Sequence, residues 1–409
     1  STPAAAAAPS PSRRGQGLHA LGSVYSGNQE DNMNYYIQNG SVYVDCQFQD
    51  LTLHIVDGKI EFAGAVPAGA EVIDAQGARI VPGFIDTHMH GAVGVDVNGA
   101  TAEDLETIGA FLARHGTTSF QASVLTDTQQ QTEWCIREFN RYRESPRKGA
   151  ELVGIHLEGP FLAKEYKGAM PEHLLQNTNI DLIRHYQELA RGGIRYITLS
   201  PELPGVLDMI PELKKLGITV GIGHSGATYA QAMEAISLGA TVGTHVGNAM
   251  RLFHQHEPAI FGAVMESDLY CETICDGRHL VPGTVRMYCK CKGLDRIVAI
   301  TDSIMAAGLP DGNYHLGVND VVVKDGDAKL ASDGTRAGST LTQDRALKNM
   351  LVWLPYSLEE ILPTLTENPA REMNLWQTKG SIAPGKDADL VLLDQQANIL
   401  QVYTRGLRV

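Results

Sequence analysis

Long apolar runs are missing from this chain. None approaches the roughly 20 residues that a membrane-spanning helix needs, so no membrane partner is expected. Basic residues are in deficit as well: 33 Lys and Arg stand against 47 Asp and Glu, a formal net charge of -14. A nucleic-acid groove needs the opposite balance, and nothing suggests attraction to an anionic lipid surface. The deficit does not exclude a small anionic substrate, which needs only a local basic pocket. Cysteine is sparse, with six in 409 residues, too few for a disulfide scaffold. Cys271-x-x-x-Cys275 has the spacing of half a zinc site, yet it falls in an apolar strand-like run where free thiols pack well. Cys289-x-Cys291 reads as structural or partly exposed, so metal binding by thiolate is not expected.

What is there is an ordinary globular composition, 43% hydrophobic and 20% charged, in a chain long enough for one large domain and a smaller one. Residues 1–33 offer an Ala run, Pro-Ser-Pro-Ser-Arg-Arg and glycines, with little to bury, and read as a disordered extension or tag. From 34 to 80 the texture is β. Short runs at 35–37, 41–44, 51–56 and 71–73 are separated by the turn signals Asn39-Gly40, Asp57-Gly58 and Gln76-Gly77. Residues 381–409 repeat that texture, with runs at 390–393 and 402–404. The two ends are expected to build one small β-sandwich domain together.

Between them, over 81–380, strand-like and helix-like segments alternate. Apolar runs occur at 80–85, 119–123, 153–157, 195–199, 218–222, 240–244, 269–274 and 296–300. Helical texture fills the intervals, as at 101–115 and 229–238. Eight such units point to an α/β fold, a (β/α)8 TIM-like barrel. An open doubly wound sheet is the alternative, but no Gly-rich dinucleotide fingerprint follows the first run.

Chemistry-bearing residues cluster at the ends of these runs. His88 and His90 follow the first, and alternate strand residues share a face, so both imidazoles can reach one metal. Barrels carry their sites at such strand ends. Glu158 ends the third run, before Gly159-Pro160, and reads as a ligand to one metal or a bridge between two. A helix cap or an ion pair is its blander role. His156 reads as a satisfied core histidine. His224 follows the fifth run and His245 the sixth; each alone is more readily structural, but the series as a whole is not. Histidine and carboxylate without thiolate suit Zn²⁺ or Fe²⁺. Asp302 ends the eighth run, where a carboxylate can take a proton from water and pass it to a leaving amine. A helix N-cap is its alternative role.

The motifs are Pro82-Gly83-Phe84-Ile85-Asp86-Thr87-His88-Met89-His90-Gly91, His156-Leu157-Glu158-Gly159-Pro160, Gly223-His224-Ser225, Thr244-His245 with Asn248-Ala249-Met250, Asp276-Gly277-Arg278-His279, and Thr301-Asp302. Together they resemble the amidohydrolase superfamily and, within it, the N-acetylglucosamine-6-phosphate deacetylases. N-acetylgalactosamine-6-phosphate deacetylases share them. The resemblance implies a barrel with a small β-sandwich, a homodimer, and a divalent metal, Zn or Fe, at one or two ions per subunit. It places Glu158, His224 and His245 at the main metal site and His88 and His90 at a second. Asp302, counted with the metal ligands, is placed as general base and acid. Asn248, the Ala249 backbone and His279 map onto sugar contacts, and His279 also onto polarisation of the acetyl carbonyl. Ala169, Met170, His256, Arg336, Ala337 and Gly338 map onto further substrate contacts.

Three of those positions depart from the family's pattern. His256 stands where an Arg usually precedes Glu-Pro and holds the sugar phosphate. Met170 stands where many members have a phosphate-contacting His, and Arg336 where Leu is common. An imidazole does not reproduce a bidentate, permanently charged guanidinium. Two readings stay open: His256 and Arg336 still bind phosphate, or the phosphate site is lost. The expected reaction is metal-dependent hydrolysis of N-acetylglucosamine-6-phosphate to glucosamine-6-phosphate and acetate. The expected location is cytoplasmic, with an exported form left open by the N-terminus. The alternatives are an unphosphorylated or different N-acetyl sugar, including N-acetylgalactosamine or its 6-phosphate, or another N-acyl amide. A non-enzymatic barrel scaffold is disfavoured by the intact ligand set.

Overall fold

The computed structural model describes residues 33–144 and 149–409. The extension expected over 1–33 lies, apart from Met33, outside the described residues. Eight parallel strands form one sheet in chain order: Phe84–Met89, Thr117–Leu125, Glu151–Glu158, Ile194–Leu199, Thr219–Ile222, Val242–Gly243, Tyr270–Ile274 and Ile297–Ile300. Their near-continuous apolar character follows from burial on both faces. Helices such as Ala102–Arg114 and Tyr229–Leu238 return the chain between strands, each opened by a capping box, at Thr101 and Thr228. First and last strands meet beyond the regular ladder. Asp302 N donates to His88 O at 2.9 Å and His90 N to Ser303 O at 2.7 Å. Thr301 Oγ1 donates to the Asp86 carboxylate at 2.6 Å. These bonds bring the sheet round into the expected TIM-like near-barrel.

The run at 80–85 is two strands, not one. Arg79–Pro82 lies in a six-stranded sheet, antiparallel to Leu390–Leu393 and parallel to Ser41–Val44. The barrel strand begins at Phe84, and Gly83 is the joint. A Cβ on Gly83 would fall 2.0 Å from Thr118 Oγ1, so only glycine fits this crossing. The six-stranded sheet therefore draws on both ends of the chain. A four-stranded sheet of Lys59–Ala63, Thr52–Val56, Asn34–Gln38 and Val72–Asp74 packs on it. Ile37, Leu53 and Ile55 from one sheet and Ile80, Leu390 and Leu392 from the other fill a common core. This is the β-sandwich expected from the two ends. The hairpin at Asp57-Gly58 has φ 47° and 75°, the left-handed pair that a two-residue turn needs.

Three elements escaped the sequence reading. Gln47–Asp50 is short and mostly polar, and Lys59–Ala63 is short with charged residues at alternate positions, so neither makes a continuous apolar run. Gly312–Leu316, Asn319–Lys324 and Asp327–Leu330 form a three-stranded antiparallel sheet inserted after the last barrel strand. Its inward residues Leu316, Val321 and Val323 share an apolar cluster with Leu125, Met170 and Ile304. That cluster fastens the insertion over the strand ends where the candidate ligands lie. No helix among the described residues is long and apolar enough to cross a membrane.

Candidate active site

Four imidazole Nε2 atoms converge on the Glu158 carboxylate. His224 and His245 lie 3.1 and 3.0 Å from Oε1, His88 3.5 Å from Oε1, and His90 3.3 Å from Oε2. The Nε2 atoms of His224 and His245 are 3.1 Å apart, and those of His88 and His90 are 3.2 Å apart. Asp302 Oδ1 lies 3.2 Å from His90 Nε2. Ring orientation is set from behind. His90 Nδ1 donates to Ser123 O at 3.0 Å and His224 Nδ1 to Tyr166 O at 2.9 Å. A carbonyl only accepts, so the proton sits on Nδ1 and Nε2 presents its lone pair. His88 Nδ1 meets Glu272 Oε2 at 3.1 Å, and the same oxygen accepts from His245 N at 3.0 Å. Lone pairs and carboxylate oxygens aimed at one region fit a divalent cation, and the N/O donor set suits Zn²⁺ or Fe²⁺.

Without a cation, the buried imidazoles and carboxylates neutralise one another. Burial opposes charge on His88, but the Glu272 and Glu158 carboxylates hold its pKa well above the ordinary value. Burial pushes Glu158 up, and His88 with the His224 and His245 hydrogen bonds holds it well below the carboxylate range. Asp302 is pushed up by burial but pulled below its ordinary value by His90 and neighbouring histidines, so it stays ionised. His156 goes the other way: burial and the His88 charge keep it neutral. Both its nitrogens are engaged, by Ser123 Oγ at 2.8 Å and Thr198 Oγ1 at 2.9 Å. It is a satisfied core histidine.

Local backbone turns these side chains inward. His224, His245 and Asp302 leave their strands at φ 47°, 27° and 49°, and Ala249 sits at 47°. Non-glycine residues in that left-handed region cost on the order of 1–3 kcal/mol each, and four of the sixteen found among the described residues lie at this site. Asp86, below His88, is pushed up to about 6 by burial, against its Thr301 and His88 hydrogen bonds.

A cavity of about 490 Å³ opens above, with His90, Glu158, His224, His245 and Asp302 among its lining residues. Its lining includes Ala169, Met170, Asn248, Ala249, His279, Arg336 and Gly338. His88 lies beneath, fully buried. His279 Nδ1 is fixed by Asp276 Oδ2 at 2.7 Å, and Asn248 Nδ2 donates to His245 O at 3.1 Å. Two expected substrate positions are elsewhere. His256 sits on an exposed turn in which His254 and Glu257 pair, against Gln255 Nε2 at 3.2 Å, and it does not line the cavity. Ala337 is buried in the apolar cluster under the inserted sheet. Arg336 and Gly338, on either side of it, line the cavity. Met170 reaches the wall, but only 2% of it is exposed. Arg336 is already held by both oxygens of Asp327, at 2.9 and 3.1 Å.

Sequence reading missed Glu272, which touches His88 and the His245 backbone from within the strand Tyr270–Ile274. An acid inside an apolar run was the available signal.

A parallel near-barrel whose strand ends gather histidines and carboxylates defines the metal-dependent hydrolases of this architecture. The amidohydrolase family model matches residues 79–409, and the chain belongs to that family and is a hydrolytic enzyme. An N-acetylglucosamine-6-phosphate deacetylase of Lysinibacillus sphaericus is 36% identical over 361 residues, 88% of this chain and 93% of that relative. The crystal structure of N-acetylglucosamine-6-phosphate deacetylase from Pasteurella multocida is similar with a TM-score of 0.87 at 30% identity, covering 92% of this chain and 99% of that one. A mutant of the Mycobacterium smegmatis N-acetyl-D-glucosamine-6-phosphate deacetylase, solved in complex with N-acetyl-D-glucosamine-6-phosphate, gives 0.86 at 31% identity, over 92% and 99%.

Proposed function

We propose that this enzyme removes the acetyl group of N-acetylglucosamine-6-phosphate, giving glucosamine-6-phosphate and acetate. The observation that carries this is the convergence of His88, His90, Glu158, His224, His245 and Asp302 at the base of a polar cavity. Relatives that match about nine-tenths of the chain, 88% and 92% of it, are named for that reaction. Glu158, His224 and His245 would hold a Zn or Fe ion, and His88 and His90 with neighbouring carboxylates would hold a second where two are bound. Such an ion supplies Lewis-acid polarisation of the acetamide carbonyl and lowers the pKa of water. Asp302, ionised in this setting, takes the proton of the attacking water and returns it to the amine nitrogen as the C–N bond breaks. His279, held through Nδ1 by Asp276, would polarise the carbonyl oxygen in its doubly protonated form, since a neutral ring with its proton on Nδ1 has no N–H left to donate. Asn248, Ala249, Ala169 and Gly338 bound the sugar. A homodimer and a cytoplasmic location, where sugar phosphates are mainly found, complete the reading.

A second reading, an unphosphorylated N-acetyl sugar, has three observations in its favour. His256 is outside the cavity, Met170 is apolar, and Arg336 is bound to Asp327. The comparison that decides is kcat/KM on N-acetylglucosamine-6-phosphate against N-acetylglucosamine. The expected result is a preference for the phosphorylated sugar of at least about tenfold, the worth of one charged hydrogen bond. Equal values would replace the first reading with the second. The 6-phosphate of N-acetylgalactosamine, assayed alongside, tests the sugar itself.

A further inference from the structure

Three cations other than histidine line the cavity among the described residues: Lys164, Lys167 and Arg336. Two are taken. Lys164 is exposed and pairs with Glu172 at 2.7 Å. Arg336 gives Nε and a terminal nitrogen to the two Asp327 oxygens, and that bond holds Asp327 down at about 2. Lys167 differs. It is half-buried, and the one hydrogen bond shown for its Nζ runs to the Gly168 carbonyl at a long 3.4 Å. Among the described residues no carboxylate lies within ion-pair distance of it, although Asp333 on the same cavity wall feels its charge.

Its backbone is fastened to the metal-site residues. Tyr166 O accepts from His224 Nδ1 at 2.9 Å. Gly168 lies so close to the His224 ring that a Cβ there would fall 3.1 Å from Cε1. Lys167 is thus held between two residues that touch one candidate ligand, while its side chain carries an unmatched positive charge on the wall.

We propose that Lys167 is the residue that reads the phosphate of the substrate in this enzyme. This rests on the phosphosugar reading above. An ammonium is a point charge on a flexible stem, and it can turn from a weak backbone contact to a dianionic phosphate without breaking an ion pair. Arg336 would have to give up Asp327 to do the same. His256 would have to cross from an exposed turn. The chain's departures at Met170 and His256 then mark a relocated anchor for the phosphate, not its loss.

The test compares wild type with K167M and K167R, metal-loaded, on N-acetylglucosamine-6-phosphate and on N-acetylglucosamine, with inorganic phosphate as a competitive inhibitor. Thermal melting and metal content confirm that each variant is folded and loaded. In K167M, kcat/KM for the phosphorylated sugar is expected to fall by about ten- to a hundredfold, mostly through KM, and far more than for the free sugar. Inhibition by phosphate weakens in parallel. K167R keeps the charge and recovers most of the loss. Added salt lowers the wild-type preference and leaves K167M nearly flat, because screening acts on the charge that was removed. A K167M enzyme that keeps the wild-type preference, or loses both substrates equally, overturns the assignment while leaving the phosphosugar reading intact. A wild type with no preference overturns that reading, and Lys167's role with it.

Discussion

As the proposed general base, Asp302 has two demands to meet at once. It must stay ionised in a buried site, and it must lie within reach of the reacting water. Its left-handed backbone and the 3.2 Å approach to His90 Nε2 satisfy both. Replacing it by Asn keeps the shape and removes the proton acceptor. D302N is expected to lower kcat by about 100- to 10,000-fold with KM nearly unchanged and metal content retained. Steady-state kinetics with metal quantification on the same sample checks this, and a fall confined to KM would reassign Asp302 to substrate binding. At this scale the ligand candidates were legible in the sequence because each polar residue interrupts or ends an apolar run. Glu272 was not, since what matters is its contact with His88, 184 positions away. Nor was the fate of His256, whose motif position says nothing about where the turn carries it.

Lys379 shows what an element junction needs. Its ammonium is nearly buried and meets Glu151, Asp387 and Asp389 at 2.7, 2.9 and 2.8 Å. Glu151 opens a barrel strand, while Asp387 and Asp389 precede the sandwich strand Leu390–Leu393. Burial alone would lower the Lys379 pKa, but the three carboxylates outweigh it and raise it. A raised folded-state value adds stability below the unfolded lysine range that is lost as pH climbs through the folded value. Asp387, held low by Lys379 and Lys59 against burial, adds stability above the ordinary carboxylate range that is lost on acidification. K379M takes the ammonium away from buried Asp389 and leaves Asp387 with Lys59 alone, and should cost about 3 kcal/mol at neutral pH, measured by urea unfolding. The gap from wild type should narrow as pH drops below about 4, where carboxylates protonate on their own. An equal gap at pH 3 and pH 7 would remove electrostatics as its cause. The same scale explains the split run at 80–85. Strand propensity continues through it, and only the crossing of Gly83 with Thr118 decides where one sheet ends and the other begins.

For the molecule as a whole, the metal reading predicts linkage between activity and stability. An ion that binds the folded chain at a hundredfold excess over its Kd adds about 2.7 kcal/mol. Chelation is therefore expected to abolish hydrolysis and to lower Tm by roughly 3 °C for each ion lost. Adding back Zn²⁺ or Fe²⁺ should restore both, and calorimetry with an activity assay reads the two together. Chelated, metal-free protein that hydrolyses at the full rate would end the metal reading.

By itself the sequence determined the kind of elements, their order and the chemistry at their ends. These are local matters: apolar runs make buried strands, turn residues stop them, and a histidine or carboxylate after a run lands at a strand end. Only the tertiary structure decided that the strand ends meet, that Glu272 steadies His88, and that His256 and Ala337 stay out of the cavity. It also decided that Arg336 is committed to Asp327 while Lys167 is not. Those outcomes depend on which distant segments touch, and contact across a fold is set by packing and closure rather than by any window of neighbouring residues.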